Sequence, residues 1–127
     1  MNKKRPVNLD ISTIKLPITA YVSILHRISG VFLFAGMAVL LWLLDASLAS
    51  EESFAAMKES LNNPVYKFVL WGVLSVLAYH TVAGVRHLTM DGGVGETLKG
   101  GQLGAKLVVL LAIVLIVIAG VWIWSLQ

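Results

Sequence analysis

The stretch Leu107–Gln127 reads LVVLLAIVLIVIAGVWIWSLQ, 21 residues without one charged side chain. As a helix it is roughly 32 Å long, matching the ~30 Å hydrocarbon core of a bilayer. Two further charge-free stretches lie upstream: Ile28–Leu44, with 17 residues, and Phe68–Val85, with 18. These give roughly 26 and 27 Å of helix, so both helices are expected to run past Arg27 and Lys67, whose long side chains snorkel toward the interface. The pattern predicts an all-α integral membrane protein with three transmembrane helices. Its single domain covers residues 1–127, with a surface segment over about 1–20 and spans over about 21–46, 64–89 and 104–126.

Composition agrees with that fold. Of the 127 residues, 57% are hydrophobic and 13% charged, about half the charged share of a soluble domain. Mean hydropathy is +0.82. So few polar side chains cannot solvate a small globule, and the lipid bilayer is the natural solvent. There is no cysteine, which excludes disulfides, thiol catalysis and iron–sulfur ligation by this chain. The net charge of +3 does not point to nucleic acid, because the basic residues are few and form no aromatic-laced patch. No phosphate loop, zinc spacing, nucleophile constellation, dinucleotide fingerprint or internal repeat occurs.

Positive charge predicts the topology. Lys3, Lys4, Arg5, Lys15 and Arg27 precede the first span, and Arg86, Lys99 and Lys106 lie between the second and third, eight of the ten basic residues. The N-terminus is expected inside and the C-terminus outside. Trp42, Trp71, Trp122 and Trp124 all fall toward the outer interface in an antiparallel three-helix array, as belt aromatics should. Ser47-Leu48-Ala49 resembles a signal-peptide cleavage site, but a 27-residue charged leader and a long apolar run argue against cleavage. Pro6–Pro17 reads as a segment on the inner surface, Asn62-Asn63-Pro64 as a turn and helix start, and the glycines between Gly92 and Gly104 as a flexible connection.

The informative residues are polar ones at membrane depth, where each needs a partner or a purpose. On span two, His80, Gly84, His87 and Asp91 fall within an arc of roughly 60°. This stripe offers an imidazole in the hydrocarbon, a gap at Gly84 against which a flat macrocycle could lie, and a second imidazole and a carboxylate near the inner surface. His80 either ligates iron or hydrogen-bonds a neighbouring helix with Gly84 serving close packing. On span one, Ser23, His26, Arg27 and Gly30 share a face at i, i+3, i+4 and i+7. Arg27 has no carboxylate three or four residues away; it either snorkels to lipid phosphates or meets a haem propionate or a quinone carbonyl. Tyr79 and Arg86 lie on another face of span two, with Arg86 expected as an interfacial anchor. Span three carries almost nothing polar and reads as lipid-facing filler or a packing helix. One deep histidine cannot complete a six-coordinate haem, so that reading requires a second chain or an open iron.

These residues carry a family resemblance. Ser23-Ile24-Leu25-His26-Arg27-Ile28-Ser29-Gly30 resembles the S-x-x-H-R-x-S-G signature of the succinate dehydrogenase cytochrome b subunits, the larger membrane anchors of respiratory complex II. His80-x-x-x-Gly84-x-Arg86-His87-x-x-x-Asp91 is similar to that family's second motif, and Arg5-Pro6-Val7-Asn8-Leu9-Asp10 to its N-terminal segment. The likeness spans nearly the whole chain and is nearest the proteobacterial type. It implies a haem-binding helical bundle shared with a second membrane anchor subunit, in a bacterial inner membrane, with the N-terminus cytoplasmic and the C-terminus periplasmic. His80 would be an axial ligand of haem b, and Ser23 and Arg27 would line the ubiquinone site. His26, Arg27 and His87 would lie in the haem propionate region, and Asp91 on a possible proton path. Flavin and iron–sulfur clusters would reside only in the partner flavoprotein and iron–sulfur subunits, and the isolated chain would have no activity of its own. The alternatives are a fumarate reductase anchor, or a small structural or transport membrane protein without haem.

Overall fold

The computed structural model describes residues 5–126; Lys3 and Lys4 of the basic leader and the terminal Gln127 lie outside the described residues. Four helices follow one another: α1 (Ile18–Ala49), α2 (Glu51–Ser60), α3 (Pro64–Asp91) and α4 (Leu98–Ser125). There is no strand among the described residues. By length and composition α1, α3 and α4 are each long and apolar enough to cross a membrane. Ahead of α1, Asp10 accepts from the backbone N–H and hydroxyl of Ser12, at 3.0 and 2.6 Å, closing a polar turn. These bonds hold its carboxyl below the usual aspartate range.

Local chemistry sets each boundary. Pro17, extended at φ −68° and ψ 159°, stands at the N-cap of α1, where it has no N–H to leave unsatisfied. Its carbonyl accepts from the N–H groups of Ala20 and Tyr21. α1 stops at Ser50, whose extended backbone makes a corner. The Ser50 hydroxyl then caps α2 by accepting the Ser53 N–H at 2.9 Å. Glu51 and Glu52 in the first turn of α2 and Lys58 in its last complement the helix dipole. This short helix was not anticipated, because its length and polarity leave no hydropathy signal; the serine followed by two glutamates was the available cue.

α3 starts as the Asn-Asn-Pro signal predicts, with the Asn63 side chain accepting the Val65 N–H and Pro64 in the first turn. It ends at a turn in which Gly93 (φ +87°) and Gly95 (φ +74°) supply left-handed backbone. α4 begins at Leu98 rather than near residue 104, because Thr97 caps it by accepting the Gly100 N–H at 3.0 Å. Gly100, Gly101 and Gly104 therefore belong to a helix and not to a flexible connection. Their lack of side chains permits close approach: a Cβ at Gly100 would lie 2.9 Å from Thr97 Oγ1, and one at Gly104 3.2 Å from Arg86 Nε.

The three long helices meet along narrow seams of small residues. α1 buries Val22, Ser29 and Gly36, spaced seven apart. α4 buries Gly101, Ala105, Val108 and Ala112 and, beyond them, Gly120 and Ile123. α4 is thus a packing helix, the second of the two expectations for span three. Small seams are how helices associate in lipid, where tails are as apolar as leucine and close van der Waals contact must do the work. Large side chains point outward instead, Phe34 being 87% exposed.

Side chains also grip the backbone of neighbouring helices. Tyr79 Oη donates to the Val22 carbonyl at 2.7 Å, Trp71 Nε1 to the Ile116 carbonyl at 2.9 Å, and Arg86 Nη2 to the Gly101 carbonyl at 3.1 Å. Lys67, expected to snorkel, is only 8% exposed and donates to the Leu126 carbonyl at 2.6 Å, at the end of α4 where the helix dipole is negative.

The Trp71 bond needs Gly120, since a Cβ there would lie 3.0 Å from the indole Nε1. Gly120→Ala is expected to push the ring off the Ile116 carbonyl and cost about 1–3 kcal/mol, read as earlier thermal unfolding in detergent. Gly72→Ala is the control, because nothing lies within 4 Å of a Cβ at that position.

Candidate functional site

The crossing of α1 and α3 is built from two reciprocal glycine–histidine pairs. A Cβ at Gly30 would sit 3.4 Å from Cε1 of His80, and one at Gly84 would sit 3.6 Å from Nε2 of His26. Each glycine on one helix makes room for an imidazole from the other. The gap at Gly84 therefore houses the His26 ring and is not an open face of this chain. The two rings stack with centroids 4.4 Å apart and planes inclined 26°. His87 continues toward the C-terminal end of α3, 6.4 Å from His26 and tilted 32°. The sequence stripes on α1 and α3 thus converge into one column, His80–His26–His87.

Ser29 stands behind this column, 7% exposed. Its hydroxyl donates to the His26 carbonyl at 2.6 Å and lies 2.9 Å from His80 Nδ1. Nε2 of His80 makes no hydrogen bond among the described residues. His26 Nε2 and Arg86 Nε are buried without a partner, an arrangement that favours a polar guest, because an unpaired buried nitrogen costs roughly 1–3 kcal/mol.

Below the column a cleft of about 200 Å³ opens between α1 and α3, with Thr19, Ser23, His26, Arg86, His87 and Met90 in its lining. Ser23 and His87 are exposed at its mouth. Asp91 Oδ2 lies 3.6 Å from His87 Nε2, one turn on, and both side chains are open to the surroundings. Arg27 is exposed, is not in the cleft lining and makes no hydrogen bond among the described residues. The structure thus gathers Ser23, His26, His80 and His87 about one crossing, with Asp91 at its rim and Arg27 beside it.

Two residues of this region were undervalued in the sequence. Arg86, expected as an interfacial anchor, lines the cleft while tying α3 to the first turn of α4. Its spacing of seven from Tyr79, which also bonds across helices, was the signal that both lie on an interhelical seam. Ser29 belongs to the α1 motif, and its signal is that it lies seven residues from buried Val22 and seven from buried Gly36.

Comparison with known proteins bears on the whole chain. Residues 1–119 match the family model for the "Succinate dehydrogenase/Fumarate reductase transmembrane subunit". The chain is 44% identical to a succinate dehydrogenase cytochrome b556 subunit of Coxiella burnetii over 125 residues, covering 98% of this chain and 100% of that one. It is 31% identical to the protein of the same name from Paracoccus denitrificans, covering 90% and 88% of the two chains. With the succinate dehydrogenase cytochrome b560 subunit of Reclinomonas americana it shares 30% identity, over 94% and 86%. With three membrane-length helices and similarity along nearly its full length, the chain belongs to the family of succinate dehydrogenase/fumarate reductase transmembrane subunits and is a multi-pass membrane protein.

Proposed function

We propose that the chain is the membrane-anchoring cytochrome b subunit of a succinate dehydrogenase, holding haem b through His80 and helping to form the site of ubiquinone reduction. One observation carries this reading. Within the apolar helix α3, His80 has Nδ1 engaged by Ser29 and Nε2 without a hydrogen-bond partner among the described residues, the disposition of an oriented metal ligand.

The donor set fits haem b. No group of three or more His, Cys, Asp or Glu able to hold a metal ion alone occurs among the described residues, so this chain would supply one axial ligand and the second anchor subunit the other. The unpaired nitrogens of His26 and Arg86, with Arg27 and His87 nearby, suit the carboxylates of propionate groups, to which Arg and His donate charge-assisted bonds. When bound, haem b supplies a one-electron reservoir whose poise depends on axial ligation and burial.

Ubiquinone is apolar and partitions into the bilayer, so a site at the inner boundary suits both its solubility and delivery of electrons from an iron–sulfur subunit on that side. Reduction adds two electrons and two protons, and negative charge develops on the carbonyl oxygens. Ser23 would hold one carbonyl through its hydroxyl, and the Arg27 guanidinium would stabilise the developing charge. The exposed His87–Asp91 pair would exchange protons with the aqueous phase. The flavoprotein subunit would oxidise succinate on the same, cytoplasmic side. The names of the curated relatives support the succinate-oxidising direction over fumarate reduction.

In the assembled complex, Ser23→Ala and Arg27→Ala should each lower succinate:quinone activity by about 10²-fold while reduction of artificial dyes by succinate survives. Normal quinone turnover in both variants would remove their assigned role. His80→Leu should abolish or shift the haem b bands in the reduced-minus-oxidised spectrum; an unaltered spectrum and potential would refute ligation by His80. A topology reporter fused after residue 127 should be active in the periplasm, and one fused in the Gly92–Glu96 turn in the cytoplasm.

A further inference from the structure

We propose that Ser29 is a positioning residue for the iron ligand. Its hydroxyl decides which ring nitrogen of His80 carries the hydrogen and raises the electron-donating strength of the other. This rests on His80 being the haem ligand and goes beyond it, because ligation alone says nothing about what sets the potential.

The deduction is a count of hydrogens. A serine hydroxyl has one hydrogen to give, and a carbonyl oxygen has none. At 2.6 Å, the contact between Ser29 Oγ and the His26 carbonyl oxygen must contain a hydrogen, and only Ser29 can provide it. The 2.9 Å contact with His80 Nδ1 then runs the other way: Nδ1–H donates and Oγ accepts. In a ring that ligates iron, the lone pair of His80 then sits on Nε2, the nitrogen that makes no hydrogen bond among the described residues. Ser29 is buried, so bulk water does not compete for Nδ1, and the His26 carbonyl keeps the hydroxyl from turning. A hydrogen bond donated from Nδ1–H pushes electron density onto the ring and makes Nε2 a stronger donor. Stronger donation favours ferric over ferrous iron and so lowers the potential.

The test is a redox titration of haem b in the purified complex. Ser29→Ala should retain a b-type spectrum with a potential displaced to more positive values, by about tenfold in the ferric–ferrous equilibrium, or about 59 mV for one electron. Ser29→Thr, which keeps a hydroxyl, should return the potential to near the wild-type value. Ser29→Cys fills the same space with a weak hydrogen-bonding group and should repeat the positive displacement, which keeps the test open if the alanine variant does not assemble. Haem lost from an assembled Ser29→Ala complex and regained with threonine would also support the role. An unshifted or more negative potential in the alanine and cysteine variants, alongside loss or displacement of the haem bands in His80→Leu, would overturn the role of Ser29 and leave ligation standing. Unchanged bands in His80→Leu would overturn both.

Discussion

A single hydroxyl joins the backbone of α1 to the imidazole of α3. Ser29 gives its hydrogen to the His26 carbonyl and meets His80 Nδ1 on its other side. In hydrocarbon neither the carbonyl's spare lone pair nor the ring nitrogen can turn to water, so this bridge settles the relative depth of the two helices. Its reach is short, and it exists only because the helices approach closely. Gly30 and Gly84 permit that approach by leaving space for His80 and His26. A larger residue at either glycine would spread the helices, break the bridge and separate the stacked rings together. Packing and chemistry are therefore one constraint at this crossing.

The remaining helix braces the pair. α4 carries little chemistry of its own, yet its carbonyls receive Lys67, Trp71 and Arg86 at successive depths along α3. Each bond satisfies a polar side chain that the membrane would otherwise penalise, and each reaches the backbone through a position kept small or at a helix end. Gly120 beneath Trp71 and Gly104 beside Arg86 are the clearest cases. Because two of the bonds lie toward the N-terminal end of α3 and the third near its C-terminal end, α3 cannot slide or roll against α4 without breaking several. The histidine column is thus presented by a helix fixed along its length. Ser23, Arg27, His87 and Asp91, by contrast, stay exposed, as groups must if they are to meet a substrate or another subunit.

The parts of this arrangement that depend on bulk hydropathy were legible from the chain alone. Leu107–Gln127 could be nothing but a membrane span, and Asn63-Pro64 announced the start of α3. Helical spacing put Ser23 and His26 on one face of α1 and His80 and His87 on one face of α3, but that the two faces meet is a contact only the structure supplies. What escaped were features whose signal is a contact and not a composition. α2 is too short and polar to register, and its Ser50 cap is one hydroxyl. Gly100 and Gly101 look like a linker until Thr97 is seen to cap them into a helix. Gly84 read equally as a shelf for a macrocycle or as a close-packing position, because helical spacing on α3 is silent about which α1 side chain lies opposite it; His26 fills the place. Arg86 resembled other interfacial arginines until Gly101 supplied its partner.

The electrostatics of the proposed inner end link membrane insertion to the proposed chemistry. Arg27, Arg86, His26 and His87 cluster there, while the nearest carboxylate on the same helices, Asp91, is turned to His87. Positive residues near the ends of spans favour a cytoplasmic side, so the charge that would orient the chain as proposed would also prepare the same boundary for anionic guests. A propionate or a quinone oxygen acquiring charge would find donors already in place, without a costly ion pair having to be opened first. Placing them at the boundary and not at midplane keeps their own desolvation cost modest, since long side chains there reach water. His80 is the exception, lying deeper along α3, where Ser29 supplies a partner for its ring. The depth at which each residue sits thus follows from the charge that its proposed role requires.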